Sequence, residues 1–307
     1  MTKAKEDFDL LVEMALAQGG TKDMRPVIEK ELLHYDILFA LDEAKLLDRL
    51  VFQGGTSLRL CRGSNRYSED LDFAGGKDFS SKMLIEMKEV IEKYIGERYG
   101  LEVTVKEPSS LKKDPKYAEL NIDKWQIAVV TSPEQKHLAK QRIKLEVANI
   151  PAYTKEPLPL VQNYDFLPDG YSSTLIYTET LDEVMADKII SLPATQKYIR
   201  HRDVWDLVFL KRNGAALNID LVLQKIEDYK IEGFKDMLDA RISSLKEIVY
   251  GEEFSKEMER FLARVTFDGT LATDKFKSYM LATLTTILTD TRKALEGADS
   301  EEPDFPM

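Results

Sequence analysis

Apolar positions recur every three or four residues over 5–18 and 24–47, which predicts two helices before any strand. Residues 50–53 are short and mostly apolar, and the pattern leaves them open as a strand or a helix end. Gly54-Gly55 forms a turn, and Thr56 is an eligible N-cap for a helix over 57–62. Residues 70–74 read as a strand. Ser80 or Ser81 is placed to cap a helix running to about Tyr99. Residues 101–106, part of 117–131, and 141–148 alternate or run apolar as strands do. The Pro- and Tyr-rich stretch 149–171 reads as loop, with room for a short strand near Leu158, and 174–177 reads as a brief strand. From Glu179 onward the helical period takes over, through 179–192, 199–213, 217–229, 234–249, 252–264 and 273–295. The acidic, proline-bearing tail GADSEEPDFPM is expected to fray. The layout predicts an α+β chain: a mixed-sheet half over 1–178, then an all-helical half over 179–307.

Composition narrows the class. The chain has 307 residues, enough for two domains, and its apolar fraction of 43% suits a globular protein. No apolar run reaches the length of a membrane span. The N-terminus sets acids among its apolar residues, unlike a signal peptide. Cys61 is the single cysteine, so no internal disulfide exists, and a reducing cytoplasm is expected. With only three histidines beside it, a structural zinc site is not expected.

The net charge of −11 argues against non-specific nucleic-acid binding. The charge is uneven, however. Residues 215–307 hold 12 basic and 19 acidic residues, whereas 186–214 hold six basic and three acidic. Lys106, Lys112, Lys113, Lys116, Lys136, Lys140, Arg142 and Lys144 also make the middle of the chain modestly basic, a candidate path for an RNA backbone, with a solvated surface the equal alternative.

The densest chemistry lies in FQGGTSLRLCRGSNRYSEDLDF, residues 52–73. Alternation in a strand puts Asp70 and Asp72 on one face. Two adjacent carboxylates repel, and a divalent cation relieves that repulsion. Mg²⁺ takes one or two carboxylates plus substrate phosphates. Gly54 and Gly55, leading into a helix N-terminus, offer backbone N–H groups to an anion. Together these residues read as a holder for a metal-bound nucleoside triphosphate. Further on, Lys144 and Glu146 share a strand face. Glu183 and Asp187 share a helix face with Lys188 one position beyond, and Asp203 and Asp206 are neighbours on a helix.

The turn and the Asp-x-Asp resemble the core motif of the DNA polymerase β-like nucleotidyltransferase superfamily. The fuller pattern, GGTSLRL followed by RYSEDLDF, more closely resembles the AbiEii/AbiGii toxin family, the nucleotidyltransferase half of type IV toxin–antitoxin and abortive-infection systems. Lys144-Leu145-Glu146 resembles its KLE-type motif. Glu183, Ala186 and Lys188 resemble its E-x-x-A-x-K-type helix, and Arg202-Asp203 with Asp206 its R-D-x-x-D signature. The resemblance covers about residues 48–212.

That resemblance implies a metal-dependent enzyme that moves a nucleoside monophosphate from an NTP to a hydroxyl. Asp70 and Asp72 are the implied ligands of Mg²⁺ or Mn²⁺. Gly54, Gly55, Thr56, Ser57, Arg66, Ser68, Lys144, Arg202 and Asp206 are expected around the nucleotide. Lys188 is expected on the triphosphate. Glu146 and Asp203 are expected as third carboxylate, base or orienting group, with Asp206 the alternative to Asp203. The helical half is expected to complete the active-site cleft. The implied acceptor is the tRNA 3′ end or another RNA, and the implied partner is a cognate antitoxin. Transfer to a protein or small molecule, or non-catalytic nucleotide sensing, is the alternative.

Overall fold

The computed structural model describes residues 5–18, 22–111, 122–134 and 140–300. The predicted positions Lys112, Lys113, Lys116 and Lys136, and the end of the tail, lie outside the described residues. The chain divides into two compact units. One is Met1–Glu179 with Arg260–Arg264, and the other is Thr180–Glu259 with Val265–Met307.

The first unit opens with helices α1 (Phe8–Ala17) and α2 (Arg25–Glu43). Strand β1 (Val51–Gln53) runs directly into α3 (Gly54–Arg62), and β2 (Leu71–Ala74) follows. Then come α4 (Met87–Tyr99), β3 (Val103–Lys106), the single turn α5 (Pro108–Leu111), β4 (Ile122–Val129) and β5 (Gln141–Ala148). Strand β6 (Lys155–Pro159), the turn α6 (Asp169–Ser172) and β7 (Leu175–Glu179) complete the unit. The ambiguous apolar stretch at residue 50 is therefore a strand, and the region near Leu158 contains one too.

The strands form one mixed sheet in the order β3-β4-β5-β2-β1-β7-β6. Parallel pairs join β2 to β5 and β1 to β7, and the other neighbours are antiparallel. Edge strand β6 carries Pro157 and Pro159. Proline is tolerated there because an edge strand has N–H groups with no ladder partner to lose.

Alternation decides what each face does. In β5, Ile143, Leu145 and Val147 are fully buried, whereas Arg142 and Lys144 are exposed. In β2, Leu71 and Phe73 are fully buried and stand beside Leu145 and Val147. Phe73 also stacks on Phe52 of β1, ring centroids 5.0 Å apart. Helices α2 and α4 pack on the sheet, and α1 packs on α2. The opposite face keeps its polar residues, and the acids belong to it.

Helix α2 is buried on nearly every side, polar positions included: Glu29, Glu31, His34 and Asp36 are all within 3% of full burial. Each has a partner. Glu29 accepts from Arg25, Thr131 and Gln141. Glu31 takes both arms of Arg59 of α3, at 2.8 and 2.9 Å. Asp36 accepts from Arg98 and Tyr171. An unpaired charge there would cost several kcal/mol, roughly, so these pairings set how α2 sits on its neighbours.

The second unit is helical: α7 (Leu181–Ala194), α8 (His201–Arg212), α9 (Ile219–Asp228), α10 (Phe234–Tyr250), α11 (Glu252–Glu259), α12 (Arg264–Gly269) and α13 (Asp274–Ser300). Thr180 caps α7 by accepting from Glu183 N. The single helix expected over 252–264 ends instead at Glu259. The next residues join the first unit, where Phe261 O accepts from Tyr67 N at 2.9 Å and Leu262 bridges Arg66. Phe261 and Leu262 are each 1% exposed. Burial of these two side chains, with backbone hydrogen bonds to match, outweighs one further turn of helix.

Phe73→Ala removes the ring that locks β2 to β1 and to the helical layer. It is expected to lower unfolding stability by about 3–5 kcal/mol, read as a shifted midpoint in urea denaturation.

Candidate functional site

Four strands align one polar row across the sheet. Gln53 of β1 pairs with Asp72 of β2, Asp72 with Glu146 of β5, and Glu146 with Lys124 of β4. Paired residues on adjacent strands point to the same side, so this row lies opposite the buried Leu71, Phe73 and Leu145. Asp70 sits one residue before β2 rather than inside it. Its parity with Asp72 still brings it to the same face, where both are half-buried. Glu146 thus stands beside Asp72, with Lys124 Nζ at 2.5 Å from its Oε1.

Asp70 is held from several sides. Lys144 N donates to its Oδ1 at 3.2 Å, and Lys144 Nζ lies 3.5 Å from Oδ2. The Asp70 carboxylate is the main cause that holds the Lys144 ammonium above its usual pKa, against the opposing effect of burial. Thr56 Oγ1 donates to the Asp70 carbonyl. That hydroxyl is not an N-cap, because α3 starts two residues earlier, at Gly54, with Gln53 as N-cap and no side-chain capping bond. The first-turn N–H groups of such a helix have no intrahelical acceptors.

The glycines are explained by close approach. Gly54 adopts φ +78°, and a Cβ there would lie 2.8 Å from Asp72 Oδ2. A Cβ on Gly55 would lie 2.2 Å from Arg66 Nη2 and 3.1 Å from Ser68 Oγ. The start of α3 therefore closes onto Asp72, Arg66 and Ser68. Arg66 is 2% exposed and donates from Nη1 to Tyr67 O at 2.8 Å. Ser57 is buried, its hydroxyl donating to Gly54 O at 2.9 Å. Thr56 and Ser57 thus brace the turn with their hydroxyls, and what the turn can offer an anion is backbone N–H.

Among the described residues, no three His, Cys, Asp or Glu side chains converge as a ready ligand set. The donors nevertheless fit a hard divalent cation. Asp70 and Asp72 supply carboxylate oxygens on one face. Gln53 Oε1, in the same row, is buried with no hydrogen-bond partner. Mg²⁺ takes such oxygens and fills its remaining positions with water and phosphate.

Sequence reasoning missed the supports behind Asp70. Lys30 of α2 pairs with Glu69 at 2.7 Å, and His34 Nε2 donates to the Glu69 carbonyl at 3.1 Å. Burial pushes the His34 imidazole down to about 4. It is therefore neutral near pH 7, with the Nε2 proton given to that carbonyl. The available signal was His34 lying four residues after Lys30 on a helix that also buries Glu29, Glu31 and Asp36. Cys61, Trp125 and Trp205 are buried, and burial pushes the Cys61 thiol up to about 12.

In the helical unit, Lys188 is only 6% exposed. Its Nζ lies 2.6 Å from Asp203 Oδ1 and 3.1 Å from Asp206 Oδ2. Asp203 also accepts from Ser191 at 2.7 Å and pairs with Arg200. Burial alone would raise the Asp203 pKa. The Lys188 and Arg200 charges, with hydrogen bonds from Lys188 and Ser191, outweigh it and hold the carboxyl well below its usual range. Asp203 and Asp206 thus share one lysine. Arg202 is half-exposed, 3.7 Å from Glu257, and His201 Nδ1 is 2.9 Å from the same carboxylate. Lys225 of α9 went unnoticed in the sequence. It is fully buried, with Glu183 at 3.0 Å and Asp187 at 2.8 Å. Its signal was a lysine in register with the apolar positions Leu221 and Val222.

A glycine turn that closes on an Asp-x-Asp strand, with a third carboxylate in register, is the arrangement expected of a nucleotidyltransferase. Over residues 36–282 the chain matches the family described as "Nucleotidyl transferase AbiEii toxin, Type IV TA system", and it belongs to that family. No curated protein matches it. Two solved structures are similar at 18% identity. JHP933 from Helicobacter pylori has a TM-score of 0.49, the match covering 89% of this chain and 95% of that one. A "putative nucleotidyltransferase from H. pylori" has a TM-score of 0.47, covering 89% and 97%.

Two outcomes are expected from these contacts. His34 is depressed relative to its unfolded value, so between pH 6.5 and about 4 the unfolded chain binds the extra proton and stability falls as pH falls. That slope is at most about 1.4 kcal/mol per pH unit. His34→Gln retains a donor for the Glu69 carbonyl and should remove this share of the slope, measured by denaturation across that range. Lys188→Ala leaves Asp203 and Asp206 without their shared lysine, and a loss of about 3–5 kcal/mol is expected in the same measurement.

Proposed function

We propose that the chain transfers a nucleoside monophosphate from an NTP to the 3′ hydroxyl of an RNA, with tRNA the acceptor, and thereby blocks translation. The observation that carries this reading is the register of Asp72 beside Glu146, with Asp70 on the same face and the start of α3 closing on Asp72.

Asp70 and Asp72 would hold Mg²⁺ or Mn²⁺, and Glu146 is the third carboxylate. Bound there, the ion supplies neutralisation of triphosphate charge and polarisation of the reacting phosphate. The first-turn N–H groups of α3 donate to phosphate oxygens, and the helix dipole adds to their pull. Arg66 sits behind Gly55 and brings positive charge close to that turn. Glu146 accepts the proton of the incoming hydroxyl. Lys124 Nζ, 2.5 Å from its Oε1, orients it for that role. The hydroxyl attacks the α-phosphate in line, and pyrophosphate leaves. Positioning and charge neutralisation supply most of the acceleration. The resemblance assigns Lys188 to the triphosphate and Asp203, with Asp206 the alternative, to activity. A toxin of this kind works in the cytoplasm and is restrained by a cognate antitoxin. Among the described residues no helix is long and apolar enough to cross a membrane.

Asp70→Ala and Asp72→Ala are expected to lower transfer by at least about a thousandfold, because each removes charge stabilisation at the reacting centre. Both side chains are half-buried on an open face, so folding should persist. The measurement is incorporation of labelled NTP into separated tRNA, protein and metabolite pools, together with sequencing of tRNA 3′ ends after expression. Label in the protein or metabolite pool alone would replace the RNA acceptor. Full growth inhibition by Asp70→Ala would end the enzymatic reading.

A further inference from the structure

Six residues, Thr195 to Arg200, connect α7 to α8, and both ends of this loop are fastened. At the α7 end, Arg241 of α10 donates from Nε to Leu192 O at 3.1 Å and from Nη2 to Thr195 O at 3.3 Å. Gln196 Nε2 donates to Pro193 O at 2.5 Å. At the α8 end, Arg200 pairs with Asp203, which is itself held by Lys188 and Ser191. Between the two fastenings Lys197 is exposed and Tyr198 is 62% exposed.

An aromatic ring held out into water from a pinned loop gives up the burial that usually accompanies its cost in entropy. Its surroundings indicate what compensates. From Lys188 to Arg202 the sequence contains Lys188, Lys197, Arg200 and Arg202 and no acid, in a chain whose net charge is −11. Acids meet this segment at Lys188, from the buried Asp203 and Asp206, at Arg200, from Asp203, and at His201 and Arg202, from Glu257. Tyr198 is also the only large apolar side chain exposed between residues 186 and 214. A protein partner is met by several apolar side chains together. One flat ring with cations on either side is instead how proteins take unpaired nucleotides: bases stack on the ring and the phosphates meet the charge.

We propose that Tyr198 is a stacking platform for an unpaired base of the RNA acceptor, with Lys197 and Arg200 beside it on the phosphate backbone. This rests on the RNA-acceptor reading above and adds a residue to it. The ring acts on acceptor affinity and takes no part in the reaction itself.

The test is binding of a short fluorescent single-stranded RNA ending in CCA with a free 3′ hydroxyl, by anisotropy, to the full chain without NTP. Tyr198→Ala should weaken the dissociation constant by about tenfold, the effect of losing one stacked base. Tyr198→Trp should restore it. In the transfer assay the acceptor KM should rise with kcat unchanged, and NTP affinity and melting temperature should stay at wild-type values. Equal RNA binding by wild type and Tyr198→Ala would overturn the inference and leave the proposed function standing. So would an effect of Tyr198→Ala confined to binding of a protein partner. A wild-type chain that labels another acceptor class and does not bind the RNA would defeat both.

Discussion

The site depends on a single strand having two faces. Within β2, Leu71 and Phe73 belong to the helical layer, and Asp72 belongs to the open face. A shift of one residue against β5 would bury the acid and expose the ring. Burial of Leu71 and Phe73 at 0% exposure is therefore what places Asp72 beside Glu146. Packing and chemistry are set by the same register. Because β2 pairs in parallel with β5 and antiparallel with β1, the acid row draws on strands far apart in sequence, with Asp70 one residue ahead of β2 on the same face.

That register also constrains the turn ahead of the strand. With Asp72 fixed, the chain leaving β1 has only the space that glycine needs, since any side chain at Gly54 or Gly55 meets Asp72 or Arg66. Helix α2 secures the remaining parts. Its Glu31 takes Arg59 of α3, while its Lys30 and His34 take the carboxylate and carbonyl of Glu69. One buried helix thus holds both the helix that follows the glycine turn and the residue that precedes Asp70. The apolar layer sets where these elements lie. The buried polar contacts of α2 then select one orientation of each, because any other would leave a charge without its partner.

Features with a local cause were legible in the sequence. Asp70 and Asp72 follow from a period of two, the glycines from a turn, and β5 from its alternation. The helices after Glu179 follow from their period of 3.6. What was hidden depends on partners distant in the chain. Thr56 looks like an N-cap, yet Asp70 O, fourteen residues on, takes its hydroxyl. Residues 252–264 have helical periodicity throughout, yet Phe261 and Leu262 have better burial elsewhere. His34 and Lys225 look like ordinary helix positions because nothing local identifies the carbonyl or the acids they meet. Lys188 was legible as a candidate, but its two carboxylate partners within the unit were not.

The helical unit repeats the logic of α2 with charge on both sides of one helix. Helix α7 offers Glu183 and Asp187 to Lys225 of α9, and its own Lys188 to Asp203 and Asp206 of α8. The donors and acceptors are crossed, so α7 cannot rotate or slide by a residue without leaving like charges facing each other. Buried pairs of this kind add little net stability over an apolar core, but breaking one is expensive. Their value is therefore in fixing geometry. Lys188 gains a set position from the two acids that share its ammonium. An anion near that lysine would compete with Asp203 and Asp206 for the same charge. Loss of either acid would thus remove one of the two contacts that hold Lys188, which makes the acids of α8 determinants of its position and not only of stability.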